Sequence, residues 1–319
     1  MFRLTAKIEI RSAKTWVFDK VAEVEITRDI DTLTDTCVLR LPKKVRWQGE
    51  RSLPIKRGDE VLVWLGYDGE LQFAFRGFIT TIGLKNPTEV HCEDFMFRLK
   101  SQAAVKKAYK SATIEQVLRD QNLGVKFKVF GEQRIGQFRV TAATVTELLG
   151  QLKDQGGIRS FFLIEEGEPV LYCGVLFERD TRCRQVFATG VNMIDDTQLD
   201  VQNAADVKIK IRAISLLPNN KRIRVDVGDA DGQRRTLHAY NKNATELKAW
   251  AEQELKRLKR DGLTGSFTTF GAVLIDKLDN VGIKIDGVRR GIYQTKKNVI
   301  KFGTGGFRQE ITIGQRVGE

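Results

Sequence analysis

Apolar and polar residues alternate along most of the first hundred positions, the two-residue period of strands with one face buried. Phe2, Leu4, Ala6, Ile8 and Ile10 interleave with Arg3, Thr5, Lys7 and Glu9; Ala22, Val24 and Ile26 follow, then Cys37, Leu39 and Leu41. Val61, Val63 and Leu65 lead into Asp68-Gly69, which accepts positive φ, and the chain returns through Leu71, Phe73, Phe75, Gly77, Ile79 and Thr81. That pattern predicts a hairpin. It recurs near the other end, where Gly282, Ile283 and Ile285 meet Asp286-Gly287 and Tyr293, Val299 and Phe302 lead to a strand with Ile311 and Ile313. Residues 55–94 and 274–314 thus share the order strand, Asp-Gly turn, long strand, loop, strand, which predicts an internal duplication.

Between the copies the period changes. Ile114, Val117 and Leu118 have helical spacing after Thr113, with Gln116 at the capping-box position and Gly124 as the stop. A strand-like run at 126–130 follows. Thr144 and Glu147 then open a helix with the stripe Val145, Leu148, Leu149 and Leu152, ended by Gly156-Gly157. Residues 160–173 read as a hairpin turning at Glu166-Gly167. After a polar passage, strands return at 208–217, 221–229 and 234–241, with turns at Pro218-Asn219-Asn220 and Asp231-Gly232. A helix over 244–260 is capped by Asn243 and Glu246 and closed by Gly262. Its stripe, Leu247, Trp250, Ala251, Leu255 and Leu258, predicts a face that packs on the second set of strands or meets another subunit. The expected organisation is a first β-barrel at 1–100, an α+β insert at 101–185 and a second β-barrel with one helix at 186–319. The fold class is mainly β with an α+β insert.

At 319 residues the chain has room for two or three cores. With 41% hydrophobic and 29% charged residues it has the composition of a globular protein, and no run is long and apolar enough to span a bilayer. Its cysteines, Cys37, Cys92, Cys173 and Cys183, are far apart, which suits free thiols of a reducing compartment. The net charge is +12; Lys plus Arg exceed Asp plus Glu by 2 in residues 1–100, by 3 in 101–185 and by 7 in 186–319. A basic face of that kind attracts polyanions or acidic protein surfaces. Its sharpest concentration is Lys208, Lys210 and Arg212 facing Arg222 and Arg224 across a hairpin, with Ile209, Ile211, Ile223 and Val225 on the opposite side. This face is expected to line a lumen, meet an acidic partner or touch DNA phosphates, or to be an ordinary solvated surface.

Catalytic chemistry is thinly represented. His91 and His238 lie within strand-like runs, and no spacing of His, Cys or Asp builds a metal site. The acidic neighbours Glu93-Asp94, Glu165-Glu166 and Asp195-Asp196 point to opposite faces of a strand or lie in turns, unlike an acid/base pair. The stretch GTGGF at 303–307 follows a strand without opening a helix and reads as a loop. No catalytic residue, metal or cofactor is expected.

The order of turns and strands from Gly58 to Gly69, Phe75 to Ile79 and Glu93-Asp94 resembles the phage late control D and T4-type baseplate hub family, related to the hub part of type VI secretion valine-glycine repeat spikes. The resemblance continues at Thr113-Ile114, from Leu148 to Gly157, and through Gly291, Tyr293, Phe302, Gly305-Gly306, Phe307 and Ile311. It implies a homotrimer in the virion tail, assembled from the host cytoplasm. Each subunit would contribute two tube-like barrels to a pseudo-sixfold ring joining a hexameric tail tube to a trimeric spike. Two modules per chain in three chains make six. The chain ends at Glu319 without a repetitive β-helix, so the spike is expected to be a separate polypeptide. Two alternatives stand beside this: a hub of a contractile secretion system, and a basic nucleic-acid-associated protein, against which counts the lack of aromatics between the hairpin cations.

Overall fold

Alternating strands need partners, and here they find them mostly in one antiparallel sheet. In a computed structural model of the protein, residues 3–42, 54–83, 87–131, 134–135, 137–175, 177, 183–217, 219, 221–259 and 261–318 are described. Strands take 56% and helices 13% of the structure. The first run contains β1 (Leu4–Arg11), β2 (Thr15–Phe18), β3 (Glu23–Asp29), β4 (Thr36–Leu41), β5 (Glu60–Tyr67), β6 (Glu70–Gly83) and β7 (Thr88–Glu93). Next come α1 (Met96–Ser101), β8 (Ala108–Tyr109), β9 (Ala112–Thr113), α2 (Ile114–Asp120), β10 (Lys126–Phe130), β11 (Arg134–Ile135), β12 (Phe138–Arg139), α3 (Val145–Gly156), β13 (Arg159–Glu165) and β14 (Glu168–Gly174). The last run holds β15 (Cys183–Ala188), β16 (Met193–Asp195), β17 (Leu199–Gln202), β18 (Ile209–Leu216), β19 (Arg222–Gly228), β20 (Gln233–Tyr240), α4 (Ala244–Leu258), β21 (Gly262–Phe270), β22 (Asn280–Ile285), β23 (Val288–Gly303) and β24 (Gly306–Gly318).

The chain divides into two units, one of residues 1–97, 180–199 and 265–319, the other of 98–179 and 200–264. The first unit contains the duplicated module, and the likeness of the copies extends to individual hydrogen bonds. Strand order is β1-β5-β6-β7-β4-β3 in the first copy and β15-β22-β23-β24-β21-β16 in the second. Both hairpins turn on an Asp-Gly pair with positive φ, Asp68 at 50° and Gly69 at 92°, Asp286 at 50° and Gly287 at 75°, the backbone of a two-residue hairpin turn. Ahead of each hairpin an aspartate caps a tight turn: Asp59 Oδ2 accepts from the Lys56 N–H at 2.8 Å, and Asp279 Oδ2 from the Asp276 N–H at 2.8 Å. The bulge that bends the long strand also recurs, between Ile79 and Thr81 opposite Cys92 and His91, and between Thr295 and Lys297 opposite Ile313 and Thr312. One feature differs, since β1 runs antiparallel to β5 while β15 runs parallel to β22.

The copies are joined edge to edge. β3 pairs antiparallel with β23, from Lys297 opposite Asp29 to Gly303 opposite Glu23. Their inward faces share one core, in which Val24, Ile26 and Leu39 of the first copy lie in a cluster with Leu274, Ile300, Phe302 and Phe307 of the second. The expected pair of barrels is therefore not what the described strands form. No closed barrel is present among them; the strands of both copies belong to one 14-stranded sheet, because β3 gives its outer edge to β23.

The second unit is built from two insertions, one between the copies and one between β17 and β21 of the second copy. In the first, β13 and β14 form the expected hairpin with positive φ at Glu166 and Gly167, and β10 adds parallel to β14. Thr113 and Thr144 cap α2 and α3 as expected, and α3 ends on Gly157 in the left-handed conformation. In the second, the three-stranded sheet β19-β18-β20 carries α4, capped by a box of Asn243 and Glu246. The helix stops at Leu258 with Lys259 as its cap, and Gly262 already begins β21, so that glycine is not the helix terminator. Residues 200–264 thus group with 98–179, and not with the strands that follow them as the expected boundaries had it. Pro218, Asn220 and Arg260 lie outside the described residues.

Candidate assembly site

At the joint between the copies, charge is buried that the strand pattern does not announce. Lys277 lies within the capped turn Asp276 to Asp279 of the second copy and has no exposed surface. Its Nζ donates to both carboxylate oxygens of Asp35 in the first copy, at 2.7 and 2.6 Å. Asp35 sits beside Asp94: the Asp35 N–H donates to Asp94 Oδ2 at 3.1 Å, and the Asp94 N–H returns a bond to the Asp35 carbonyl at 3.0 Å. The Met96 N–H caps the other Asp94 oxygen at 2.9 Å. Arg28 on β3 lies 3.4 Å from Asp276 and donates to the Ala74 carbonyl. Burial raises both Asp35 and Asp94, the Lys277 ammonium opposing this most directly at Asp35. Asp94 is pushed up to about 7 by burial and by the Asp35 charge. The loop presenting Lys277 is itself anchored, with Gln309 donating to the Phe270 and Val273 carbonyls and Asn298 to that of Ile275.

Two edges differ between the otherwise matching copies. Lys297, Asn298 and Val299 of β23 are paired by β3, whereas the matching stretch of β6, Thr81 to Gly83, has no strand on that side among the described residues. The strand that holds the place of β3 in the second copy is β16, beside which Val191 and Ile194 are exposed. Arg57, which takes the place of Lys277 in the first copy, is exposed and lies over the Phe97 ring.

The cations expected to face one another across the hairpin are offset along it, Arg222 lying opposite Leu216 and Arg224 opposite Ile214, while Arg212 lies opposite Asp226 and Lys210 opposite Gly228. Lys210 and Arg212 on β18 and Arg222 and Arg224 on β19 share one face. Lys208 lies ahead of β18 and is held by Asp231 at 2.7 Å. Arg212 is clamped by both oxygens of Asp226, at 3.0 and 3.1 Å, and its guanidinium lowers that carboxyl's pKa. Arg234 on β20, opposite Lys210, joins the face and was missed; the parallel pairing that brings it there leaves no local pattern. Lys210, Arg222, Arg224 and Arg234 make no ion pair with a described residue. On the other side of the sheet, Leu247 and Ala251 of α4 are buried against Ile209, Ile211 and Ala213, with Trp250, Leu255 and Leu258 beside Ile223 and Val225. The apolar stripe of α4 is consumed inside its own unit.

His91 lies in β7 and His238 in β20. Cys37, Cys92 and Cys173 are buried free thiols, and burial raises each. Among the described residues no cluster of three His, Cys, Asp or Glu side chains could hold a metal, and no helix is long and apolar enough to cross a membrane. A groove of about 1070 Å³ runs past Tyr67, Leu71, Phe270, Phe307 and Arg308, where the copies also touch through the Tyr67 hydroxyl donating to the Phe307 carbonyl.

In its fold the chain is similar to solved structures of phage and prophage tail proteins and of type VI secretion components. Among solved structures, the tail protein from Neisseria meningitidis is similar at a TM-score of 0.65 with 13% identity, over 98% of this chain and 96% of that one. The prophage MuSo2 tail protein from Shewanella oneidensis follows at 0.61 with 16% identity, over 98% of both chains. An Escherichia coli component of the type VI secretion system, described as structurally similar to T4 bacteriophage tail proteins, reaches 0.55 with 13% identity over 97% of this chain and 77% of its own. No family model and no curated protein matches the sequence.

Proposed function

We propose that the protein is the baseplate hub subunit of a phage or prophage tail, three copies forming a pseudo-sixfold ring that adapts a hexameric tail tube to a trimeric spike. The observation that carries this reading is the joint itself. Inside the chain, β3 of one module closes on the long strand of the next. Repeating that contact between chains would set the β16 edge of one subunit on the open Thr81–Gly83 edge of another. A contact between unlike surfaces generates a ring when its rotation closes, and an unpaired edge with apolar neighbours is a surface that seeks a partner. Each of the six positions then holds a tube-like module whose sheet is completed by its neighbour.

Light scattering on the purified chain, with negative-stain images viewed end-on, tests the ring. The expected result is a mass of three chains and an annulus with a channel, and Ile194→Lys should shift the population to single chains. A monomer at every concentration would overturn the reading. The tail tube and spike proteins are the proposed partners, and the cations of β18 and β19 are the proposed contact with DNA in transit. A hub in a contractile secretion machine would use the same geometry.

A further inference from the structure

Granted the proposed ring, a joint that the chain makes once within itself is repeated between chains, and the two kinds of joint differ in how their charges are answered. Inside the chain, the turn Asp276 to Asp279 and the neighbouring Lys296 meet β3 and the loop after it through three ion pairs: Lys277 with Asp35 at 2.6 Å, Asp276 with Arg28 at 3.4 Å and Lys296 with Asp31 at 2.7 Å. Both sides contribute both signs. The turn is tied to β23, the Leu278 N–H donating to the Thr295 carbonyl at 2.9 Å and the Thr295 N–H to the Asp279 carbonyl at 2.7 Å. In the first copy the Gly58 N–H donates to the Ile79 carbonyl at 2.8 Å and the Ile79 N–H to the Asp59 carbonyl at 2.9 Å. Lys56 and Arg57 therefore stand where Asp276 and Lys277 stand in the second copy, next to the open edge at Thr81 to Gly83. Both are exposed and neither makes an ion pair with a described residue; Arg57 rests on the Phe97 ring.

The edge set against them in the ring is β16 continued by β17, both paired with β21 and together in the place of β3. From Met193 to Asp206 it holds four acidic residues, Asp195, Asp196, Asp200 and Asp206, and no Lys or Arg. Asp195 accepts from Thr197, Asp196 from Thr189 and Asp206 from Asn203, and none of the four has a cation beside it among the described residues. Where β3 runs out through Asp29 to Asp31 beside the Lys277 turn, β17 runs out through Asp200 to Asp206, both exposed. One surface carries cations without acids and the other carboxylates without cations, so the partner that fits each is a second copy of this chain. We propose that the ring is fastened electrostatically, Lys56 and Arg57 of one chain against Asp200 and Asp206 of the next. Charges that stay solvated in the free chain carry no burial penalty there, unlike Lys277, and their long-range attraction speeds the encounter. Salt screens such pairs far more than buried ones.

Sedimentation of the full chain at about 0.05 and about 0.5 M salt reads the fastening, the wild-type ring being weaker at the higher value. At low salt, Lys56→Glu with Arg57→Glu should weaken association roughly tenfold or more, because like charges then face one another. Asp200→Lys with Asp206→Lys should do the same. All four replacements in one chain restore opposite signs and should bring association back to within about threefold of wild type. Because the four side chains are exposed, the melting midpoints of the variants should match wild type. One-sided replacements that leave the ring at full strength, or a fourfold variant no better than either pair, overturn the fastening while the ring stands. A wild-type chain that stays single at every concentration removes the ring itself, and the fastening with it.

Discussion

Gly157 lies against the ring of His238, and a Cβ added to the glycine would come within 2.8 Å of His238 Cδ2. The two residues come from different insertions, so this contact helps fasten the second unit. Gly157 is also the left-handed cap of α3, with φ at 67°. Gly157→Ala meets both a backbone and a steric penalty and should cost about 1–3 kcal/mol. Gly150, in the same helix with nothing within 4 Å of an added Cβ, should respond oppositely, Gly150→Ala stabilising by about 0.5–1 kcal/mol. Urea midpoints of the two variants check the pair of signs.

His238 gives the same unit a pH dependence. Burial, and then the Arg222 charge, lower its pKa, so the folded unit holds it neutral while the unfolded chain takes up a proton more readily. Stability from this group is present above the ordinary histidine value and drains away as the pH falls through and below it. The protection of β20 peptides in hydrogen exchange should therefore fall between pH 7 and pH 5, and His238→Gln should remove the fall.

Asn243 and Glu246 cap α4 reciprocally, the Asn243 side chain accepting from the Glu246 N–H at 2.9 Å and Glu246 from the Asn243 N–H at 3.0 Å. Asn243→Ala should cost about 1 kcal/mol. The double replacement with Glu246→Ala should cost less than the sum of the singles, since each alone already breaks the box. Thermal melts of the four proteins close the cycle.

Lys210, Arg222 and Arg224 make no ion pair with a described residue, whereas Lys208 and Arg212 have carboxylate partners. Replacing the first three by Ser should leave the unfolding midpoint within about 0.5 kcal/mol of wild type. It should also lower the salt sensitivity of DNA retention on a filter by about three phosphate contacts. Retention and salt slope identical to wild type would assign these cations to a solvated surface.

Much of the local structure was legible. Asp68-Gly69 and Asp286-Gly287 announce their hairpins because few dipeptides accept that backbone, and Thr113, Thr144 and Asn243 announce helix starts because their side chains satisfy free N–H groups. The duplication was readable as spacing, down to Val90 and Ile311 in matching strands. What lay beyond reach is long-range. Nothing near Val24 or Phe302 says that β3 and β23 are neighbours, and the alternation that fits a closed barrel fits an open sheet equally well. Lys277 stands in LIDKLDN, which reads as a polar turn, and its burial depends on Asp35 arriving from the far end of the chain. In the sequence Asp94 is half of an acidic pair with Glu93, and adjacency does not reveal what a carboxyl will face.

The partner of β3 is made long after it, since β23 lies more than 250 residues further along the chain. Until Lys297 to Gly303 emerge, the nascent first module presents a bare strand edge, the kind of surface on which growing polypeptides stick to one another. Glu23 and Glu25 on that strand carry like charges that discourage two unfinished chains from pairing there. A product lacking β23 and β24 would be left with that edge permanently open.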